Sequence, residues 1–119
     1  MSPSSPQKQT SAAEGKLPPE ALMQVAERFR VLGSPSRLSI LNLLMDGPRP
    51  LAELVEATGL EQSNLSRHVA ELERAGCVRR HKQGRTVHVE IADPTLHALC
   101  EMVCGALREQ ADEARRAFA

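Results

Sequence analysis

The sequence predicts a mainly α-helical domain carrying one small β-hairpin. Two observations predict it. Apolar residues recur at helical spacing through most of the chain and switch to alternation only near Thr86–Ile91, the period of a strand. The available core is also aliphatic. Hydrophobic residues make up 41% of the 119, yet only Phe29 and Phe118 are aromatic, with no Trp or Tyr. Such a core suits packed helices better than a large sheet, where aromatic and β-branched residues are favoured. The length is that of one domain.

Each element has its own signal. Residues 1–18 are rich in Ser, Pro, Gln and Lys. They bury too little apolar area to offset ordering entropy, so a disordered tail is expected ahead of a domain over residues 19–119. Pro19 suits the first turn of a helix with Leu22, Val25, Ala26, Phe29 and Leu32 on its stripe, stopped by Gly33. Ser34-Pro35 restarts the chain as N-cap and first-turn proline. The second stripe is Leu38, Leu41, Leu44 and Met45, broken at Asp46-Gly47-Pro48. Residues 50–57 make a short third helix closed by Thr58-Gly59, and Glu61-Gln62-Ser63-Asn64 opens a fourth. Its inward stripe is Leu65, Val69 and Leu72, and Gly76 ends it.

Residues 77–82 form a weaker strand, and Gln83-Gly84-Arg85 turns the hairpin. Val87, Val89 and Ile91 share one face of the second strand. Asp93-Pro94 then caps a last helix with Leu96, Leu99, Val103 and Leu107 on one stripe. Cys77 is expected to pack in the core, and His81 and His88 to lie on the surface.

Composition removes several functions. No apolar run approaches the ~18 residues of a membrane span, and no apolar stretch near the start resembles a secretory signal. Three cysteines, an odd number in a chain that is not loop-rich, fit a cytoplasmic setting with reduced thiols. Ser66 and His68 are two apart on a helix, facing nearly opposite ways, so they make no nucleophile–base pair. Without a Gly-rich phosphate loop or an H-E-x-x-H pair, the chain does not read as an enzyme. The scarcity of aromatics argues against nucleic-acid binding by base stacking.

Charge distribution points elsewhere. Fifteen basic residues balance fifteen acidic ones, but residues 61–92 hold six Lys/Arg against four acids and three of the four histidines. From Asp93 onward three Arg face five acids. Two short helices joined by Thr58-Gly59-Leu60, then a basic hairpin, have the order of a winged helix-turn-helix. Residues 61–75 would be the recognition helix. Gln62, Ser63, Asn64, Ser66 and Arg67 sit in its first two turns, with side chains able to reach base edges in a major groove. On the hairpin, Arg80, Lys82 and Arg85 suit a phosphate backbone. His68 suits either a donor to phosphate or a half-buried structural residue. Read without a DNA partner, the same groups are an ordinary solvated face. That leaves a winged-helix protein-interaction module as one rival and a thiol-based metal-buffering dimer as another.

The segments LGSPSRLSILNLL (residues 32–44), LAELVEATGLEQSNLSRHVAELERAGCV (residues 51–78) and GRTVHVEIADP (residues 84–94) resemble the ArsR/SmtB family of bacterial metalloregulatory repressors. The pattern S-x-x-S-R-H at residues 63–68, a leucine stripe and then GRTVHV are its specific features. The resemblance covers roughly residues 19–110. It implies a homodimer joined through its first and last helices, bound to double-stranded operator DNA and released by an inducer.

Three of that family's sensing patterns have no counterpart here. The third helix reads Leu51-Ala52-Glu53-Leu54 with no cysteine, the recognition-helix positions are Glu71 and Ala75, and the second-helix position is Asn42. What remains is the last helix. There Cys100 and Cys104 lie about 40° apart and one turn above each other, with His97 and Glu101 on the same arc. Thiolates favour As(III), Zn, Cd or Cu(I), and two thiols one helical turn apart could instead respond to a thiol-reactive sulfur species, oxidised or bridged by sulfur, although a direct disulfide between them would be strained. Cys100, Cys104 and His97 are therefore the candidate inducer ligands, while Cys100 and Cys104 as plain dimer packing is the competing reading.

Overall fold

A computed structural model describes residues 15–118. Most of the expected tail lies outside the described residues. The described chain divides at Gly33–Ser34 into two compact units. The first holds α1 (Pro19–Leu32), which has Pro at its first turn and an Arg30–Glu27 ion pair of 2.6 Å. Val31 and Leu32 are buried, whereas Leu22, Met23, Val25 and Phe29 are exposed.

The second unit runs α2 (Pro35–Leu43), a 3-10 turn (Leu44–Asp46), β1 (Arg49–Pro50), α3 (Leu51–Thr58), α4 (Gln62–Arg74), β2 (Val78–Gln83), β3 (Thr86–Ile91) and α5 (Pro94–Ala117). Caps start its helices where the sequence places them. Ser34 Oγ accepts from the Arg37 backbone N–H at 3.3 Å, and Asp93 Oδ1 accepts from the Thr95 N–H at 3.0 Å. The sheet is antiparallel in the order β1-β3-β2.

The core of this unit is Ile40, Leu41, Leu44, Leu54, Leu65, Val69, Leu72, Cys77, Val78, Val89 and Leu96, each at most 2% exposed. The anchors expected of the fourth helix and the packing role expected of Cys77 are among them.

Three features depart from the sequence reading, and a fourth, the exposed end of the α5 stripe, is what a helix at a dimer interface predicts. The strand β1 is unanticipated. Two residues, one a proline, carry no periodic signal, and a proline is tolerated because β1 lies at the sheet edge. Arg49 secures it by donating to the Leu43 carbonyl at 2.7 Å and pairing with Glu53 at 3.2 Å.

Leu38 is not in the core: it is 45% exposed. The inward stripe of α2 runs through Ile40, Leu41 and Leu44, and Leu38 lies about 100° from the stripe's centre. The inward position two turns before Leu44 belongs to Arg37.

On α5, Leu96 is buried and Leu99 half-buried, but Val103 and Leu107 face solvent. The stripe extends beyond the second unit's own core. Lastly, His81 and His88, expected on the surface, are half-buried. The register sets them directly opposite each other, with ring centroids 5.9 Å apart and edge to face. That pairing screens His81 Nε2 and His88 Nδ1 from solvent, and neither has a hydrogen-bond partner.

Candidate nucleic-acid interface

The turn between α3 and α4 is fixed by two residues. Thr58 Oγ1 donates to the Leu54 carbonyl at 2.7 Å and accepts from the Leu60 N–H at 3.2 Å. Gly59 adopts φ 73°, left-handed backbone that favours glycine, while its N–H closes the helix on the Val55 carbonyl. The chain thereby reverses within three residues and launches α4 with Leu65, Val69 and Leu72 inward.

The opposite face of α4 carries the predicted polar set. Gln62, Ser63 and Arg67 are exposed, and Asn64, Ser66 and His68 are half-buried. Ser63 donates its hydroxyl to Glu61 at 2.9 Å, so part of its bonding capacity is used locally. A groove of about 350 Å³ runs between α3, the start of α4 and the hairpin turn, lined by Leu51, Val55, Gln62, Arg85 and Val87 among others. The recognition-helix end and the wing turn thus line one opening.

Structure sorts the cations in a way the sequence does not. Arg80 pairs with Glu73 at 2.8 Å, Arg79 with Glu90 at 2.8 Å and Arg74 with Glu71 at 2.7 Å. Exposed Arg67, Lys82 and Arg85 make no ion pair among the described residues. Their charge is uncompensated and available to an anion, whereas that of Arg80 is largely answered by Glu73. Reading Arg80 with Lys82 and Arg85 as equivalent misses this. The Glu73 contact depends on how β2 packs on α4, a pairing that spacing does not encode.

His68 has a defined state. Its Nδ1 accepts from Arg37 Nε at 3.3 Å. Burial, then the Arg37 and Arg67 charges, push its protonation below the ordinary imidazole range, with Glu71 opposing. It is neutral at neutral pH. Arg37, which the sequence reading passed over, is a partner of His68, and nothing in the α2 spacing signalled it, because the contact lies between helices.

The α5 candidates do not converge within one chain. Cys100 is half-buried and Cys104 exposed. Burial first, and then Cys104, pushes the Cys100 thiol up. His97 Nε2 lies 3.1 Å from the Met45 carbonyl and its Nδ1 3.7 Å from Glu101. The imidazole is thus tied to the 3-10 turn after α2. Among the described residues no group of three or more His, Cys, Asp or Glu side chains is arranged to hold a metal ion. No helix among them is long and apolar enough to cross a membrane.

Comparison with known proteins adds to this geometry. The family model for the bacterial regulatory protein, arsR family, matches residues 34–80. The chain is 33% identical over 98 residues to the HTH-type transcriptional repressor SmtB of Mycobacterium tuberculosis, covering 82% of this chain and 70% of that one. It is 39% identical over 74 residues to the HTH-type transcriptional regulator NmtR of the same species. That match takes in 62% of each chain, so it spans less than two thirds of NmtR. The solution structure of the homodimeric winged helix-turn-helix DNA-binding domain Mb0332 of Mycobacterium bovis, a possible ArsR-family transcriptional regulator, aligns with a TM-score of 0.73. It shares 25% identity and covers 92% of this chain and 95% of that domain.

Proposed function

Because the chain belongs to the arsR family of bacterial regulatory proteins, we propose that it is a homodimeric transcriptional repressor that binds double-stranded operator DNA through α4 and the β2–β3 wing. The observation that carries this reading is the cation sorting: on α4 and the wing, Arg67, Lys82 and Arg85 are exposed with no carboxylate ion pair among the described residues, and Arg85 lines a groove with Gln62. In the complex, α4 enters the major groove. Gln62, Ser63, Asn64, Ser66 and Arg67 face base edges, and a guanidinium reads guanine through two parallel hydrogen bonds. Lys82 and Arg85 neutralise phosphates and release counterions. Arg80, held by Glu73, adds less. His68, neutral, contributes a hydrogen bond rather than a charge.

The two thiols of α5 supply the inducer reading. Cys100 and Cys104, with His97 beside them, would take a soft ion such as As(III), Zn(II), Cd(II) or Cu(I) as thiolates, with the second protomer completing the ligand set. His97 joins them only by giving up the Met45 carbonyl. Ion binding at this helix would shift the dimer from a DNA-competent to a released arrangement.

The test is fluorescence anisotropy on the protein's own promoter fragment across a salt series. Arg67→Ala should cost roughly 1–3 kcal/mol of specific affinity. Lys82→Ala and Arg85→Ala should weaken binding evenly across sequences and flatten the salt slope, and Arg80→Ala should do so less. A wild type with no salt-dependent affinity for that fragment overturns the proposal.

A further inference from the structure

Arg37 occupies a place where a cation is costly. It lies on the inward stripe of α2, seven residues before fully buried Leu44 and about 20° from it around the helix. Arg37 is half-buried, and a partly buried guanidinium loses part of its hydration unless acceptors replace the water. One acceptor is His68 on α4, 31 residues away in sequence, whose Nδ1 receives Arg37 Nε at 3.3 Å. The contact joins α2 directly to the helix that faces DNA.

The chemistry of that bond is one-directional. Arginine carries five N–H donors and no acceptor. His68 Nδ1 must therefore offer its lone pair, and the ring's one proton sits on Nε2. His68 is half-buried, and its Nε2 is not among the buried ring nitrogens that lack a partner.

We infer that Arg37 is a positioning residue for DNA recognition: it fixes neutral His68 as the Nε2–H tautomer and so aims one hydrogen-bond donor of α4 at a phosphate oxygen of the operator. The inference rests on the operator-binding reading of α4 above. In free imidazole both tautomers are populated and the ring turns; here one tautomer and one orientation are selected before DNA arrives, and the ordering cost is removed from the binding step. The charged groups around the ring act in the same direction on balance. Arg37 from α2 and Arg67 from α4 disfavour a second proton, as does burial, and Glu71 alone favours it.

The experiment combines nitrogen-15 NMR of the histidine rings with operator titration of wild type, Arg37→Ala, Arg37→Gln, His68→Ala and the Arg37→Ala/His68→Ala double variant. His68 in the wild type should show the Nε2–H pattern. In Arg37→Ala the tautomers should mix and the protonation midpoint should rise, because a repelling cation is gone. Operator affinity should fall about tenfold in Arg37→Ala and little further in the double variant, since both changes remove one device. Arg37→Gln keeps a neutral donor and most of the volume. It should recover part of both the tautomer preference and the affinity, and it serves as the reporter if the alanine variant does not fold.

An unchanged tautomer and midpoint in the substituted proteins overturns the inference, as does additivity of the two alanine changes. A wild type without operator affinity removes the DNA reading and this inference with it. A wild type that binds and is matched by Arg37→Ala removes this inference alone.

Discussion

At the scale of the residue, the three cysteines differ by environment and not by chemistry. Cys77 is fully buried beside the sheet, Cys100 is half-buried with its thiol pushed up by burial and by Cys104, and Cys104 is exposed. The nucleophile is the thiolate, so reactivity follows both access and ionisation. Alkylation by a small maleimide at neutral pH should therefore modify Cys104 first, Cys100 more slowly and Cys77 only on unfolding. Because Cys100 is raised, its rate should go on increasing at alkaline pH where an ordinary thiol is already fully ionised. Mass spectrometry of timed samples reads the order, and Cys100 reacting ahead of Cys104 would contradict it. Residue identity was legible in the sequence for the aliphatic anchors Leu65, Val69 and Leu72, whose spacing admits one inward face. It was not legible for Arg37 or Arg80, because each finds its partner on another element, His68 and Glu73 respectively.

At the scale of the element, local signals set the helices and a single glycine sets the angle between two of them. Gly59 ends α3 at φ 73° with open space around the position a Cβ would take. Gly59→Ala thus meets no clash, and its cost is the backbone conformation alone, about 1–2 kcal/mol. Chemical denaturation should show that loss. Operator affinity should drop more than the change in fraction folded explains, since relieving the strain re-aims α4. A variant as stable and as tight as wild type would mean the turn tolerates another conformation. The caps and breakers that made α2 to α5 readable, Ser34-Pro35, Thr58-Gly59 and Asp93-Pro94, act within a turn of themselves. Strand β1 has no such signal, because its two residues become a strand only through pairing with Val89 and His88.

At the scale of the whole molecule, the apolar residues left over decide how many chains act together. Met102 is 66% exposed and Leu107 59%, on the same helix as exposed Val103; α1 likewise exposes Leu22, Met23 and Phe29. Exposed apolar side chains grouped on each of these helices mark interaction surfaces, and operator half-sites about 34 Å apart need two recognition helices held together. Val103→Asp with Leu107→Asp should convert dimers to monomers in sedimentation velocity and abolish tight operator binding, while leaving the circular dichroism of the helices. A wild type that sediments as a monomer at micromolar concentration would sink the dimer. The sequence already pointed to an uncovered stripe on α5, because a core of this size has little left to cover Val103 and Leu107.

The small sheet has a further consequence for the life of the protein in a crowded cell. One margin is β1, two residues long and ending in Pro50, which has no N–H to offer. The other is β2, whose length carries Arg79, Arg80 and Lys82. Both are poor templates for a strand from a neighbouring molecule: the first is too short and lacks a donor, and the second carries Lys82, without a carboxylate partner among the described residues, beside Arg79 and Arg80, which are answered by Glu90 and Glu73. Among the described residues, a chain with exposed apolar helices is thereby disfavoured from strand-to-strand association at its sheet margins, and the exposed helix faces are the better route for copies to meet.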